Sequence, residues 1–293
     1  MSVASTRSTY RHRLPVRIMH WINVACVFVL IGSGLQIFLA HPALYWGDAA
    51  SFTKPAMSLT GKPGRDGKLR GTTQVGSLQF DSTGFLGVSK NMMGKPVARA
   101  FPTWATIPGA RNLAQGRRWH FFFAWVFVIN GALYWLWSWR ARHLRDDLLP
   151  SAPEMRGIGA SIVEHAKFHH PTGIEATRYN VLQKLAYLAV IFVLAPGVVL
   201  MGLAMSPHMD SVLGWMVDLV GGRQSARSWH FGFCFAFIAF IAVHLFMVLA
   251  TGPLNQLRGM ITGNYRYHED APPAAPAPAA PPPAPNPPEA SHD

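Results

Sequence analysis

Charge and cysteine are what this chain has least of. Charged residues fill 14% of its 293 positions, against roughly 25% in a soluble domain. Its two cysteines, Cys26 and Cys234, both lie inside apolar runs, which excludes a disulfide-stapled secreted scaffold. No CxxC or CxxCH occurs, so zinc-finger and covalent c-type haem readings fall as well. There is no internal repeat, no Ser–His–Asp set, no phosphate-cradling glycine loop and no metal–carboxylate cluster. A bond-making catalytic group is therefore not evident. What is present is apolar and basic. Half of the chain is hydrophobic, with ten tryptophans, thirteen histidines and a net charge of +12. A charge of that size first suggests nucleic acid or an anionic membrane surface, and its placement decides.

Four apolar stretches stand out, at about 18–40, 119–139, 181–204 and 229–251. Each is long enough to cross a hydrocarbon core of roughly 30 Å as a helix. Only the third holds a charge, Lys184 in its first turn, where the side chain can snorkel to the interface. Tryptophan and tyrosine gather at the ends (Trp21, Trp46, Trp119, Trp139, Tyr179, Trp229), as expected of an aromatic belt. The first stretch exceeds the 7–15 residues of a signal-peptide core and has no small-x-small site after it, so it reads as a retained helix. The expected fold is all-α and integral to the membrane: a four-transmembrane-helix bundle. It divides into a basic arm (1–17), the membrane domain (18–270) with a long periplasmic loop (41–118), and a disordered Ala/Pro-rich tail (271–293). A short interfacial helix is expected at 211–222.

Lys and Arg set the orientation. The N-terminal arm carries four, the loop between the second and third stretches six, and the C-terminal segment two. The opposite side has two in its short loop and eleven in 41–118, but loops longer than about 60 residues are discounted. Both termini are then cytoplasmic, in a bacterial inner membrane. The charge thus orients helices or faces a partner rather than nucleic acid.

Ionisable residues inside membrane helices usually mark function. Four histidines lie in or at the edges of the stretches: His20, His120, His230 and His244. The other nine sit in loops or tails and read as solvated or interfacial. His230 and His244 are 14 residues apart, nearly four helical turns, so they share a face about 21 Å apart along the axis. His120 opens the second helix and shares the depth of His230; His20 opens the first and shares the depth of His244. Two level pairs on three helices result, whichever way the protein is inserted. Facing imidazoles suit the axial positions of a six-coordinate haem iron, built for electron transfer. Arg17, Arg117, Arg118 and Arg227 lie beside these histidines, as propionate partners or as lipid anchors. Glycines such as Gly34, Gly131 and Gly202 would leave room for a porphyrin, although small residues also serve ordinary helix packing.

The local words RIMHW, RRWHFFFAWVFVINGALYW, YNVLQKLAY and RSWHF…VHLFMV resemble the bacterial di-haem cytochrome b subunits, among them those of formate dehydrogenase and nickel–iron hydrogenase. The likeness is greatest to thiosulfate reductase cytochrome b-like proteins. It implies two haems b, with iron held by His20 and His244 on the cytoplasmic side and by His120 and His230 on the periplasmic side. It implies a periplasmic molybdopterin oxidoreductase as partner and the quinone pool as the other electron carrier. In the formate dehydrogenase type a quinone lies near an Asn-x-Gly at the start of the third helix. Asn180 matches the asparagine and Leu182 stands in place of the glycine, so the implied quinone contacts are Asn180 and Gln183. The expected function is a respiratory electron-transfer subunit. The rivals are a self-sufficient cytochrome b561-type quinol, superoxide or ferric reductase, and a non-haem transporter or scaffold with proton-relay histidines.

Overall fold

The computed structural model describes residues 5–167 and 179–269; the tail expected at 271–293 lies outside them. Strand β1 (Ser5–Tyr10) leads into α1 (Leu14–Phe38), with Pro15 in the first turn, where a missing N–H costs no hydrogen bond. Six strands follow: β2 (Ala43–Leu44), β3 (Met57–Pro63), β4 (Leu69–Val75), β5 (Leu78–Asp81), β6 (Val88–Lys90) and β7 (Pro96–Ala98). Helix α2 (Leu113–Arg140) starts at Asn112, whose side chain accepts from the Gln115 N–H at 3.0 Å. Two short helices, α3 (Ala152–Arg156) and α4 (Ile158–Ala166), precede the third span. That span is α5 (Val181–Ala189), a π-helical turn (Val190–Leu194) and α6 (Ala195–Ala204). Pro196 has no N–H for the carbonyl four residues back, and the widened turn absorbs the missing bond. Helix α7 (Asp210–Leu219) occupies the place expected for a short helix; α8 (Arg223–Ala250), α9 (Pro253–Thr262) and β8 (Asn264–Glu269) complete the chain.

Four helices are long and apolar enough to cross a membrane: 14–38, 113–140, 181–204 and 223–250. Three differ from the expected stretches because helical hydrogen bonding continues into polar turns such as Arg117–Arg118 and Arg223–Ser228. The all-α expectation holds for the spans and fails in 41–118, which folds into six strands, and at β1 and β8. Strands β2-β3-β4-β5 form an antiparallel sheet and β6–β7 a hairpin against it. Gly61 and Gly71 permit that approach, since a Cβ on either would strike the backbone carbonyl of Gly87 or Leu86. Within the basic N-terminal segment, β1 pairs antiparallel with β8, from Ser5 opposite Glu269 to Tyr10 opposite Asn264.

The spans associate as α1 with α2 and α6 with α8. Between the first two, Asn130, 3% exposed, donates to the Met19 carbonyl at 2.9 Å and to Asn23 Oδ1 at 2.8 Å. Buried amides of this kind act as interhelical glue in lipid. The end of the bundle bearing β1 and β8 is the terminal end, the other the loop end. At the loop end the β-domain and α1 share one core: Leu35, Phe38 and Leu39 pack with Leu44, Leu59, Ala100 and Phe101, flanked by Ile31, Met57 and Leu86. The chain then descends beside α1. The Ile107 N–H donates to the Gly32 carbonyl at 2.9 Å, and Gln36 Nε2 donates to the carbonyls of Pro108, at 3.1 Å, and Ala110. Arg99 donates to Thr106 Oγ1 at 2.6 Å and the Gly109 carbonyl at 2.8 Å. Irregular backbone at this depth is tolerated because protein groups satisfy it. The first turn of α8 is satisfied similarly: the Gly47 carbonyl accepts from the N–H groups of Gln224 (3.0 Å) and Ser225 (3.2 Å).

At the terminal end two loop histidines are buried, contrary to the solvated reading: His12 at 8% and His143 at 6% exposed. His143 Nδ1 meets Asp147 Oδ2 at 2.6 Å. The Tyr179 hydroxyl and His12 Nδ1 are hydrogen-bonded at 3.3 Å, and the Arg11 guanidinium lies over Tyr265 and Tyr179. Burial first, then the neighbouring Arg11 charge, pushes His12 down to about 4. A histidine that is neutral when folded and ordinary when unfolded contributes stability above its unfolded value, and loses it as pH falls toward the folded one. The Tm of the wild-type protein should therefore fall between pH 6.5 and 4 more steeply than that of His12→Gln. The difference corresponds to roughly 3 kcal/mol, and parallel curves for the two proteins would refute the linkage.

Candidate functional site

The structure brings the four membrane histidines together in two pairs. His20 on α1 faces His244 on α8 with ring centres 6.3 Å apart and planes at 65°. His120 on α2 faces His230 on α8 at 6.2 Å and 67°. An iron bonded to two imidazole nitrogens at about 2.0 Å each, with each ring centre about 1.1 Å behind its nitrogen, sets ring centres about 6.2 Å apart. Both pairs meet that spacing.

Hydrogen bonds select the nitrogen that the loop-end pair offers. His230 Nδ1 donates to the Val198 carbonyl at 2.8 Å. His120 Nδ1 lies 3.1 Å from Ser33 Oγ, which donates its own proton to the Val29 carbonyl at 2.6 Å. Ser33 therefore accepts from Nδ1–H. Both rings are fixed as the tautomer with a bare Nε2, the form a metal requires. At the terminal end aromatic rings hold the imidazoles: His20 meets Trp21 edge-on at 5.5 Å, and His244 stacks on Phe240 at 5.9 Å.

Space is arranged around the pairs. A Cβ on Gly34 would come within 3.3 Å of His120 Cε1, and one on Gly202 within 3.3 Å of His230 Cε1. Gly131 follows His120 by 11 residues, about three turns, so both share a face of α2. The neighbouring Asn130 bonds Met19 and Asn23, which puts Gly131 at the level of His20, and a Cβ there would meet nothing within 4 Å. These are features of a cradle for a flat ring. Midway between the pairs, seven residues from each, Phe237 (7% exposed) meets Phe127 edge-to-face at 6.4 Å.

The other expected site residues have structural partners. Arg17 donates to the Ile261 carbonyl. Arg227 donates to the His41 carbonyl at 2.6 Å and covers the Phe38 ring. Arg117 lies over Phe121 at 5.7 Å, and Arg118 is exposed beside Asn112, Gln115 and Trp119. Asn180 and Gln183 form a reciprocal capping box on α5: Asn180 Oδ1 accepts from Leu182 N at 2.9 Å, and Gln183 Oε1 accepts from Asn180 N at 3.2 Å. Sequence reasoning missed Ser33, Asn23, Asn130 and Phe237. For Asn130 the signal was available, as a polar residue deep in an apolar run.

Four membrane-crossing helices that present two facing imidazole pairs define a multi-pass membrane protein equipped for a metal-centred ring. The chain belongs to the prokaryotic cytochrome b561 family, whose profile matches residues 11–263. It is a cytochrome b membrane subunit and binds haem b. One relative, named as the protein-methionine-sulfoxide reductase subunit YedZ1 of Azospira oryzae, is 30% identical over 138 residues, 46% of this chain and 66% of that protein. A second, named as a Ni/Fe-hydrogenase B-type cytochrome subunit of Cupriavidus necator, is 20% identical over 281 residues, 91% of this chain and 90% of that protein. No solved structure matches.

The crowding at His120 gives a direct check. Gly34→Val pushes side-chain atoms into the imidazole and should lower haem b per chain in a pyridine haemochrome assay. Gly232→Val, where an added Cβ meets nothing within 4 Å, should leave it unchanged. Equal haem content in the two variants would contradict the cradle.

Proposed function

We propose that this protein carries two haems b and passes electrons between a soluble redox enzyme at its loop end and the quinone pool. The carrying observation is the pair of facing imidazoles at each end of the bundle, with ring centres 6.2 and 6.3 Å apart. His20 and His244 hold one iron, and His120 and His230 hold the other. When bound, haem b supplies one-electron chemistry, and two protein ligands leave no open position for oxygen.

The chain's own residues provide orientation. Ser33 and the Val198 carbonyl keep Nε2 of His120 and His230 directed at the metal position. The Arg17 and Arg227 guanidiniums are held at helix ends by single carbonyl bonds, which leaves their other donors for haem propionates. Arg118 is the third propionate partner. A quinone contact at Asn180 and Gln183 runs through their amide NH2 groups, since the capping box uses both oxygens. Both termini lie in the cytoplasm of a bacterial inner membrane, and the 41–118 loop lies in the periplasm.

The partner in this reading is a molybdopterin oxidoreductase with an acidic docking face. One observation supports a partner and another its opposite charge. Both relatives above are named as subunits, and 41–118 carries eleven Lys and Arg against three Asp and no Glu. Charge complementarity speeds and orients such docking.

Reduced-minus-oxidised spectra test the assignment. His120→Leu and His230→Leu should each remove about half of the b-band, the same half, and His20→Leu and His244→Leu the other half. Two haems retained in both loop-end variants would defeat it. Affinity capture on the intact chain at low salt should recover a molybdenum enzyme and lose it as ionic strength rises. Recovery of a nickel–iron hydrogenase would replace the partner while leaving the haem assignment standing.

A further inference from the structure

Part of the chain between α1 and α2 packs along α1 itself. Helix α1 has 25 residues, about 37 Å, so it exceeds a hydrocarbon core of roughly 30 Å by about 4 Å at each end. Gly32 lies six residues before Phe38, about 9 Å along the helix, and therefore inside the hydrocarbon boundary. The Ile107 backbone is hydrogen-bonded to Gly32 at 2.9 Å, and Leu86 packs on the core that Leu35 and Leu39 share with the β-domain. Residues 86 and 105–110 thus sit level with the last two turns of a spanning helix.

Next to these residues in the chain, Phe85 is 58% and Trp104 78% exposed, and on the adjoining β6–β7 hairpin Met92 is 80% and Met93 83% exposed. Two contacts link these segments. Phe85 and Trp104 have ring centres 6.4 Å apart, and the Thr103 hydroxyl donates to the Lys90 carbonyl at 3.2 Å. That bond ties the β6–β7 hairpin, with its Asn91–Met92–Met93–Gly94 tip, to the residue beside Trp104. Exposed Lys90 and Lys95 flank the tip. Large apolar and aromatic groups bordered by lysines are the composition of a segment that lies in a bilayer interface, with ammonium groups at headgroup phosphates. The basic turn between β3 and β4 (Lys62, Arg65, Lys68, Arg70) lies elsewhere, at the ends of strands whose other ends, Met57 and Val75, pair beside the shared core.

We propose that Phe85, Met92, Met93 and Trp104 form a foot that seats the β-domain in the loop-end lipid leaflet. The occupant of the patch is phospholipid, continuous with the lipid around α1. The basic turn is the part left to water and to a soluble partner.

The test is site-directed spin labelling of the full chain. Cys26 and Cys234 are replaced by alanine, haem b content is used to verify folding, and the protein is placed in nanodiscs of phosphatidylethanolamine and phosphatidylglycerol. Nitroxides at Met93→Cys and Trp104→Cys should collide severalfold more with oxygen than with a water-soluble nickel chelate, relative to Lys68→Cys. Adding Met92→Glu should lower that ratio at site 104. The proposal is overturned if site 93 matches site 68 in the bilayer, which would mark the patch as a water-facing surface for a protein. The readout depends on neither haem number nor partner, so its failure is separable from failure of the di-haem reading.

Discussion

Polar groups held in hydrocarbon cannot turn to water, and this constraint governs the loop end of the bundle. An imidazole that presents a bare Nε2 toward a metal must have its other nitrogen occupied, or two polar atoms compete for the site. The loop-end pair meets this with a serine on α1 and a helix carbonyl on α6. The same rule applies to the backbone of 105–111. Its groups pair with Gly32, Gln36 and Arg99, and the Arg111 side chain in turn donates to the Leu39 carbonyl at 3.1 Å. The descent of the loop and the tautomer of His120 are thus fixed within one stretch of α1, residues 29 to 39.

Spacing is the second constraint. Helix α8 supplies one histidine to each pair, so a single rigid element sets the separation between them. Its partners come from a separate unit, α1 with α2, which is locked internally by Asn130 on Met19 and Asn23. Where the two units approach midway, Phe127 and Phe237 meet edge-to-face, the arrangement that aromatic quadrupoles favour. The pairs open on either side of that contact. In the two-haem reading, a ring system would sit between the units at each level without wedging apart α1 and α2, or α6 and α8.

The spans and the histidine pairs were legible in the sequence for physical reasons. Lipid imposes a length on apolar runs, and the 14-residue step from His230 to His244 is a whole number of turns within a fraction of one. The β-domain was not legible. Its strands are short, rich in Gly, Lys and Thr, and depend on Gly61, Gly71 and Gly87 meeting across the fold. The bonds of Arg17 and Arg227 escaped for another reason: their acceptors, Ile261 and His41, are supplied by chain far away in sequence. Asn180 and Gln183 show the opposite error. An Asn-x-x-Gln opening an apolar run is a readable capping signal, and the structure uses it as such, whatever else the amide groups bind.

A β-domain that shares its core with α1 changes what the long loop can do. A tethered domain would search for a partner and dock loosely over the membrane. This one is joined to Leu35, Phe38 and Leu39, within two turns of Ser33 and Gly34, and through Tyr45 and Gly47 to the first turns of α8, where the Ser228 hydroxyl donates to the Tyr45 carbonyl at 2.7 Å. It is therefore fixed to α1, whose Ser33 bonds His120, and to α8, which carries His230. In the electron-transfer reading, a partner bound to its basic turn would be oriented over His120 and His230 without further ordering of the loop. Pre-organisation of that kind lowers the entropic cost of docking, and it gives a long loop with only three carboxylates a physical role beyond connecting two helices.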